Sequence, residues 1–157
     1  MQETGFLGTA ATRAADITLL LEMGMGAGLL VGAVLARAGR IRAHAACQSV
    51  IVLLNLGLIV LMMLPPFRSQ VLPRLPGRIG KSYFAIATAH AALGGVAEFG
   101  GLYVLLAAGT DLLPERLRIK RYKFWMRSIL LVWWTVLFLG MATYARWYLI
   151  IRGETHS

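Results

Sequence analysis

The sequence has one cysteine, seven acidic residues and three histidines in 157 residues. The lone Cys47 excludes an internal disulfide and any metal site made from two closely spaced cysteines. Charged residues make up 15% of the chain, against about 25% in ordinary soluble domains. Motifs such as GxSxG, HExxH and GxxxxGK are missing as well. This composition therefore argues against a soluble enzyme.

Long apolar runs take the place of these features, and hydrophobic residues account for 58% of the chain. Crossing a bilayer takes about 20 mostly apolar residues. Four runs satisfy this and predict membrane spans at about residues 16–36, 44–64, 82–108 and 128–151. Residues 1–15 are predicted to be a short, frayed polar N-terminus and residues 152–157 a polar tail. We predict an all-α fold, an integral membrane bundle of four transmembrane helices.

The connections between the spans have two notable compositions. Pro65 and Pro66 are predicted to end the second span, because proline lacks the amide donor that a helix needs. Residues 67–81, with further prolines and glycines, are expected to be irregular. Residues 110–127 are basic and amphipathic, which predicts a segment on the membrane surface. The apolar side chains expected to face lipid there are Leu112, Leu113, Leu117 and Ile119.

The net charge of +9 raises the possibility of a nucleic-acid partner. The lysines and arginines, however, lie in short loops between apolar runs, which is the pattern of membrane orientation signals. The first and third loops carry nine of them and the opposite side seven. This distribution predicts that the first and third loops are cytoplasmic and that both termini lie outside. The bilayer is the expected partner, and nucleic acid is not.

Glycines form rows on two of the predicted spans. Gly24, Gly28 and Gly32 lie four residues apart on the first span, and Gly94 and Gly101 lie on the third. Such rows let helix backbones approach closely in membranes, where little hydrophobic force drives helices together. We predict that the first and third spans pack together or against a partner protein.

Ionisable residues inside a span are costly and indicate a functional site by default. At a helical rise of about 1.5 Å per residue, Glu22, His90 and Asn55 are predicted to meet at one level in the outer half of the bundle. Glu98 lies two turns deeper than His90. These groups fit a site for a metal, a haem edge, a quinone or a proton, and equally a hydrogen-bonded network that orders the bundle.

The histidines restrict the possible cofactors. His44 lies at the inner start of the second span and His90 in the outer half of the third, so on the order of 20–25 Å separates them along the membrane normal. One haem cannot be held by both. Haem or copper is possible but not required, and the candidate ligands are His90, Glu98 and His44. His44 is otherwise expected at the lipid headgroups, with Cys47 on the same helix face.

Three stretches carry a family resemblance: RAGRIRAHAACQSVIVLLNLGLIVL, AHAALGGVAEFGGLYVLL and PERLRIKRYKFW. They resemble parts of the bacterial membrane family called domain of unknown function 420, over about residues 17–148 and with all four spans in order. His44 and His90 match histidines of that family, whereas Arg116 stands where the family usually has another. Some members are implicated in maturing haem-copper terminal oxidases. The resemblance implies a similar role in a bacterial cytoplasmic membrane.

The leading hypothesis is a non-enzymatic, multi-pass accessory protein of the bacterial inner membrane, which helps to assemble a respiratory haem-copper oxidase and contacts an oxidase subunit. One alternative is a redox subunit that binds haem or quinone. The other is a small transporter or proton-conducting subunit that uses Glu22, Glu98 and His90.

Overall fold

The computed structural model describes residues 5–110, 113–117 and 120–150, and these contain helices and turns but no strand. The main helices are α1 (Arg13–Arg37), α2 (Ile41–Leu58), α3 (Ser82–Gly109) and α4 (Tyr122–Ala145). Four helical stretches are long and apolar enough to cross a membrane: Arg13–Arg37, Ile41–Arg78, Phe84–Gly109 and Tyr122–Leu149. The predicted fold class, an all-α membrane bundle of four helices, is therefore confirmed.

The ends of α1 are defined by local hydrogen bonds. Thr12 caps the N-terminus, since its hydroxyl accepts from the amide of Ala15 at 3.3 Å. At the other end, Gly39 has a φ of +73°, and the amide of Arg40 reaches back to the carbonyl of Leu35 at 2.9 Å. This is a Schellman ending, which needs a left-handed residue and so favours glycine. The chain therefore turns back into α2 within a few residues.

The second span does not stop at its prolines, and the prediction of an irregular loop there is wrong. The chain stays helical from Ile59 to Arg78, a stretch that we call the helical extension. Its segments are two π-helical turns, Ile59–Met63 and Phe67–Val71, and three short pieces, Leu64–Pro66, Leu72–Arg74 and Leu75–Arg78.

The prolines are tolerated in this extension because each lies in the first turn of a short helical piece, where no amide donor is needed. The wider π-helical bonds, such as the one from the amide of Leu64 to the carbonyl of Ile59, carry the helix across the gaps. The hydroxyl of Ser69 also donates to the carbonyl of Pro65 at 3.0 Å. The helix therefore continues past these prolines because other donors bond to the carbonyl groups around them.

The four helices form a ring in which α1 contacts α2 and α4, and α3 contacts the same two helices. Helices α1 and α3 therefore lie diagonally across the bundle. A buried apolar core joins all four helices around Trp133, whose indole Nε1 donates to the carbonyl of Ala97 at 3.1 Å. Its buried members are Met25, Leu29, Ile51, Val52, Leu58, Ala97 and Trp133.

Within the chain, the glycines do not join the first and third spans, and packing of these glycines against a partner protein stays a prediction. A methyl group on Gly28 or Gly32 would meet side chains of α2, whereas Gly24 has open space around it. On α3, Gly94 faces Val136 of α4, and Gly101 faces Val52 of α2 and Trp133 of α4. A glycine row indicates where a helix is smooth, but it does not identify the neighbouring helix.

We predict that Trp133→Phe lowers the free energy of unfolding by about 1–3 kcal/mol, because the buried indole leaves a cavity and its hydrogen bond is lost. Trp125→Phe is the matched control on the same helix, since Trp125 is 47% exposed. Reversible unfolding of both variants in mixed micelles measures the difference. Equal losses for the two variants would contradict a core position for Trp133.

Outside the spans, two predictions have different outcomes. The prediction of a frayed N-terminus is wrong for residues 5–12. The amide of Gly5 donates to the carbonyl of Ala11 at 2.8 Å, and the amides of Phe6 and Leu7 bond to Asp16 of α1.

Between α3 and α4, the described residues contain one 3-10 turn, Glu115–Leu117, and Leu117, which is predicted to face lipid, is exposed. The predicted lipid-facing Leu112 and Ile119, like the polar tail at 152–157, lie outside the described residues.

Candidate functional site

The buried polar groups include a pair that spans the diagonal of the bundle. Nε2 of His90 on α3 lies 3.7 Å from Oε1 of Glu22 on α1. Both side chains are mostly buried, with 17% and 11% of their surface exposed. The prediction that these two residues meet at one level is confirmed. The separation fits an ion pair and is longer than a direct hydrogen bond.

The other nitrogen of the His90 ring determines how the pair handles protons. Nδ1 lies 3.0 Å from the backbone carbonyl of Val136 on α4. Because a carbonyl only accepts, Nδ1 must carry a hydrogen, and Nε2 is the atom that gains or loses one. When the pair holds one exchangeable proton, on either Nε2 or Glu22, it has no net charge. Such an arrangement keeps an exchangeable proton inside an apolar bundle.

Gly140 of α4 provides the space that this pair occupies. A methyl group at Gly140 would lie 2.6 Å from Oε2 of Glu22 and 3.0 Å from Cε1 of His90. A larger residue at this position would therefore displace the carboxyl group of Glu22 and crowd the ring of His90. The sequence analysis missed Gly140, because a single glycine in an apolar span has no periodic pattern. Its depth, close to that of Glu22 in an antiparallel helix, was the available signal.

A second buried pair joins α2 and α3. The amide of Asn55 donates to Oε2 of Glu98 at 2.8 Å, and Glu98 is 4% exposed. No residue in the described part of the chain forms a hydrogen bond with Oε1 of Glu98. Glu98 faces the interior, and Asn55 bonds to it instead of joining Glu22 and His90 directly. A buried carboxyl oxygen with no protein partner is a site for a proton or for water.

A small cleft lies between the two pairs. It has a volume of about 30 Å³, and both Glu22 and Asn55 line it together with Gly94 and Trp133. Since one water molecule needs about 10–15 Å³ of such space, the cleft has room for one or two. It connects Glu22 to Asn55, and through Asn55 to Glu98. Side chains of α1, α2 and α3 thus form one polar line through the bundle, and α4 supplies the carbonyl of Val136 that holds His90.

His44 does not belong to this site. Its Nδ1 bonds to the carbonyl of Gly32 on α1 at 2.8 Å, and the thiol of Cys47 donates to the carbonyl of Gly28 at 3.5 Å. These two residues join α2 to the glycine face of α1, and contact of His44 with headgroups stays a prediction. Among residues 5–110, 113–117 and 120–150, no group of three or more His, Cys, Asp or Glu side chains is arranged to hold a metal.

Asp16 forms a third polar cluster, which the sequence analysis also missed. It lies in the first turn of α1 and is fully buried. Its Oδ2 accepts from the amides of Phe6 and Leu7 at 2.7 and 2.9 Å, and its Oδ1 accepts from the hydroxyl of Tyr144 at 2.6 Å. These bonds join the N-terminal segment and α4 to the start of α1, so we interpret Asp16 as a structural residue.

Comparison with known proteins adds no relative, because no family model, curated protein or solved structure matches this chain. The resemblance to domain of unknown function 420 therefore stays a prediction. The polar line through Glu22, His90, Asn55 and Glu98 is accordingly interpreted from its own chemistry.

Proposed function

We propose that this chain is a non-enzymatic, multi-pass membrane protein that conducts protons as a small subunit of a larger membrane complex. The observation that carries the proposal is the buried line from His90 and Glu22, through a water-sized cleft, to Asn55 and Glu98. Chains of Glu, Asp and His inside a membrane commonly relay protons.

The chemistry of these four side chains supports proton transfer along the line. The Glu22 and His90 pair exchanges a proton without changing its net charge, which avoids placing a bare charge in the bilayer. Glu98 has one oxygen bonded to Asn55 and the other without a partner in the described chain. A water molecule in the cleft is the carrier that would link the two carboxyl groups.

A cofactor-binding redox subunit is less well supported. The cleft of about 30 Å³ is far smaller than the roughly 300–1,000 Å³ of typical small-molecule pockets, so a quinone head group or a haem edge does not fit. Nδ1 of His44 and of His90 bonds to a backbone carbonyl, so each ring could bind a metal only through Nε2, and Nε2 of His90 lies beside Glu22. An absorbance spectrum of the purified protein, oxidised and dithionite-reduced, with metal analysis, tests this alternative directly.

A role in assembling a haem-copper oxidase is the second candidate, favoured by the resemblance in the stretches around His44 and His90. The resemblance implies a bacterial cytoplasmic membrane, and the distribution of Lys and Arg predicts that both termini lie outside. Co-purification of an oxidase subunit from the native membrane, combined with no proton flux in liposomes, would favour assembly over conduction.

We predict that proteoliposomes containing the protein take up protons under an imposed membrane potential, as measured with a trapped pH-sensitive dye. Glu98→Gln should lower the rate about tenfold or more, because the amide keeps the shape of the carboxyl but cannot carry its proton. Glu115→Gln is the matched control, since Glu115 is exposed in the turn between α3 and α4. A rate equal to that of protein-free liposomes would contradict the proposal.

A further inference from the structure

The helical extension and the residues that follow it carry a concentration of positive charge. Residues 67–81 contain four basic residues and no Asp or Glu, and all four are exposed: Arg68, Arg74, Arg78 and Lys81. No described carboxylate forms an ion pair with any of them. At this end of the bundle, the carboxylate of Asp16 is buried and already has three donors. An anionic partner from outside the chain would complement this surface.

A groove on this surface combines an apolar wall with a positively charged group, as a site for a phospholipid requires. It has a volume of about 500 Å³ and is lined by Val60, Leu64, Pro65, Arg68 and Ser69. Val60 and Leu64 are 51% and 42% exposed and form an apolar wall that leads to Arg68. The hydroxyl of Ser69 donates to the backbone carbonyl of Pro65, so the guanidinium of Arg68 is the charged group of the groove.

The distance between charges along this span places Arg68 at headgroup level. Residues 43–67 contain no Asp, Glu, Lys or Arg, and Arg42 and Arg68 bound this stretch. At about 1.5 Å per residue, the 26 steps between them (68 − 42) span roughly 39 Å. A bilayer with its headgroups is about 40–45 Å thick. When Arg42 lies in one headgroup layer, Arg68 therefore reaches the other.

We propose that this groove binds an anionic phospholipid, with the phosphate on Arg68 and an acyl chain along Val60 and Leu64. The planar guanidinium donates two parallel hydrogen bonds to phosphate oxygens. The neighbouring Arg74, Arg78 and Lys81 favour a lipid with net negative charge over a zwitterionic one. The apolar wall favours a lipid over a soluble anion, because free phosphate has no apolar group to contact Val60 and Leu64.

Native mass spectrometry of the full chain in a non-ionic detergent tests this proposal, with phosphatidylglycerol or phosphatidylcholine as the probe. We expect the protein to retain phosphatidylglycerol preferentially, and Arg68→Gln to weaken that binding about fivefold. Arg42→Gln is the matched control, an exposed arginine at the opposite end of the same helix. Circular dichroism of both variants verifies that the helices form.

Three outcomes would overturn the lipid site. Equal loss of lipid in the two variants would mean diffuse attraction to any arginine. Equal retention of phosphatidylglycerol and phosphatidylcholine by the unaltered protein would mean that charge is not recognised. Displacement of the lipid by millimolar inorganic phosphate would mean that the groove binds a free anion, whereas persistence of the lipid supports the apolar wall as part of the site.

Discussion

Asp16→Ala is expected to lower the melting temperature of the protein by about 5–10 °C and to expose residues 5–12 to proteases. The fully buried carboxylate accepts from the amides of Phe6 and Leu7 and from the hydroxyl of Tyr144. Alanine would leave all three part-buried donors without their acceptor. Unsatisfied buried donors are among the most destabilising consequences of a point substitution.

The size of this effect follows from what the cluster connects. Tyr144 has a single hydroxyl hydrogen, which it donates to Asp16, so the 2.8 Å contact with Thr9 is a bond that Thr9 donates. One carboxylate thereby joins the N-terminal segment, the first turn of α1 and the last turn of α4. The negative charge also lies at the N-terminus of α1, where the helix dipole favours it.

Two variants serve as controls for Asp16→Ala. Tyr144→Phe removes one of the three bonds and should lower the melting temperature by a smaller amount, while the bonds of Phe6 and Leu7 remain. Glu115→Ala removes an exposed carboxylate at the other end of the bundle and should have little effect. The proposed cluster would be wrong if Asp16→Ala and Glu115→Ala gave the same melting temperature. Thermal unfolding in detergent and limited proteolysis measure both expected effects.

The spans were predictable from sequence because a bilayer requires every backbone group to be bonded, and a long apolar run achieves this within one segment as a helix. Four long apolar runs with few charged residues leave little choice of fold. The helical extension was not predictable, because a rule about proline considers one missing donor at a time. Here π-helical turns and the hydroxyl of Ser69 complete the bonds around Pro65 and Pro66, and both depend on the geometry of the whole stretch.

For the candidate site, the sequence predicted only how deep each residue lies in the membrane. Counting residues from the span ends placed Glu22 and His90 at one level, and the structure brings them to 3.7 Å. The same counting cannot identify which helices are neighbours, so it did not pair Asn55 with Glu98. It also overlooked Asp16, because a charged residue at the start of a span is usually taken as the boundary of the membrane.

Gly140→Ala is expected to lower the free energy of unfolding by about 1–3 kcal/mol, because the new methyl group overlaps Glu22 and crowds His90. Proton uptake by proteoliposomes should fall with it, since the carboxyl group of Glu22 must leave its position beside His90. Gly95→Ala is the matched control in α3, where an added methyl group meets nothing within 4 Å. That control should be neutral or slightly stabilising, because alanine favours a helix over glycine by about 1 kcal/mol.

A double-mutant cycle with Glu22→Ala identifies the origin of the effect. Once the carboxyl of Glu22 is removed, the methyl group at position 140 has space, and adding Gly140→Ala should then destabilise the protein much less than it does alone. The expected coupling is about 1 kcal/mol or more, measured from reversible unfolding of the four proteins. Additive losses would place the clash on His90 or on the backbone instead. A coupling of this size would mean that glycine at position 140 leaves the space that the carboxyl group of Glu22 occupies in the bundle.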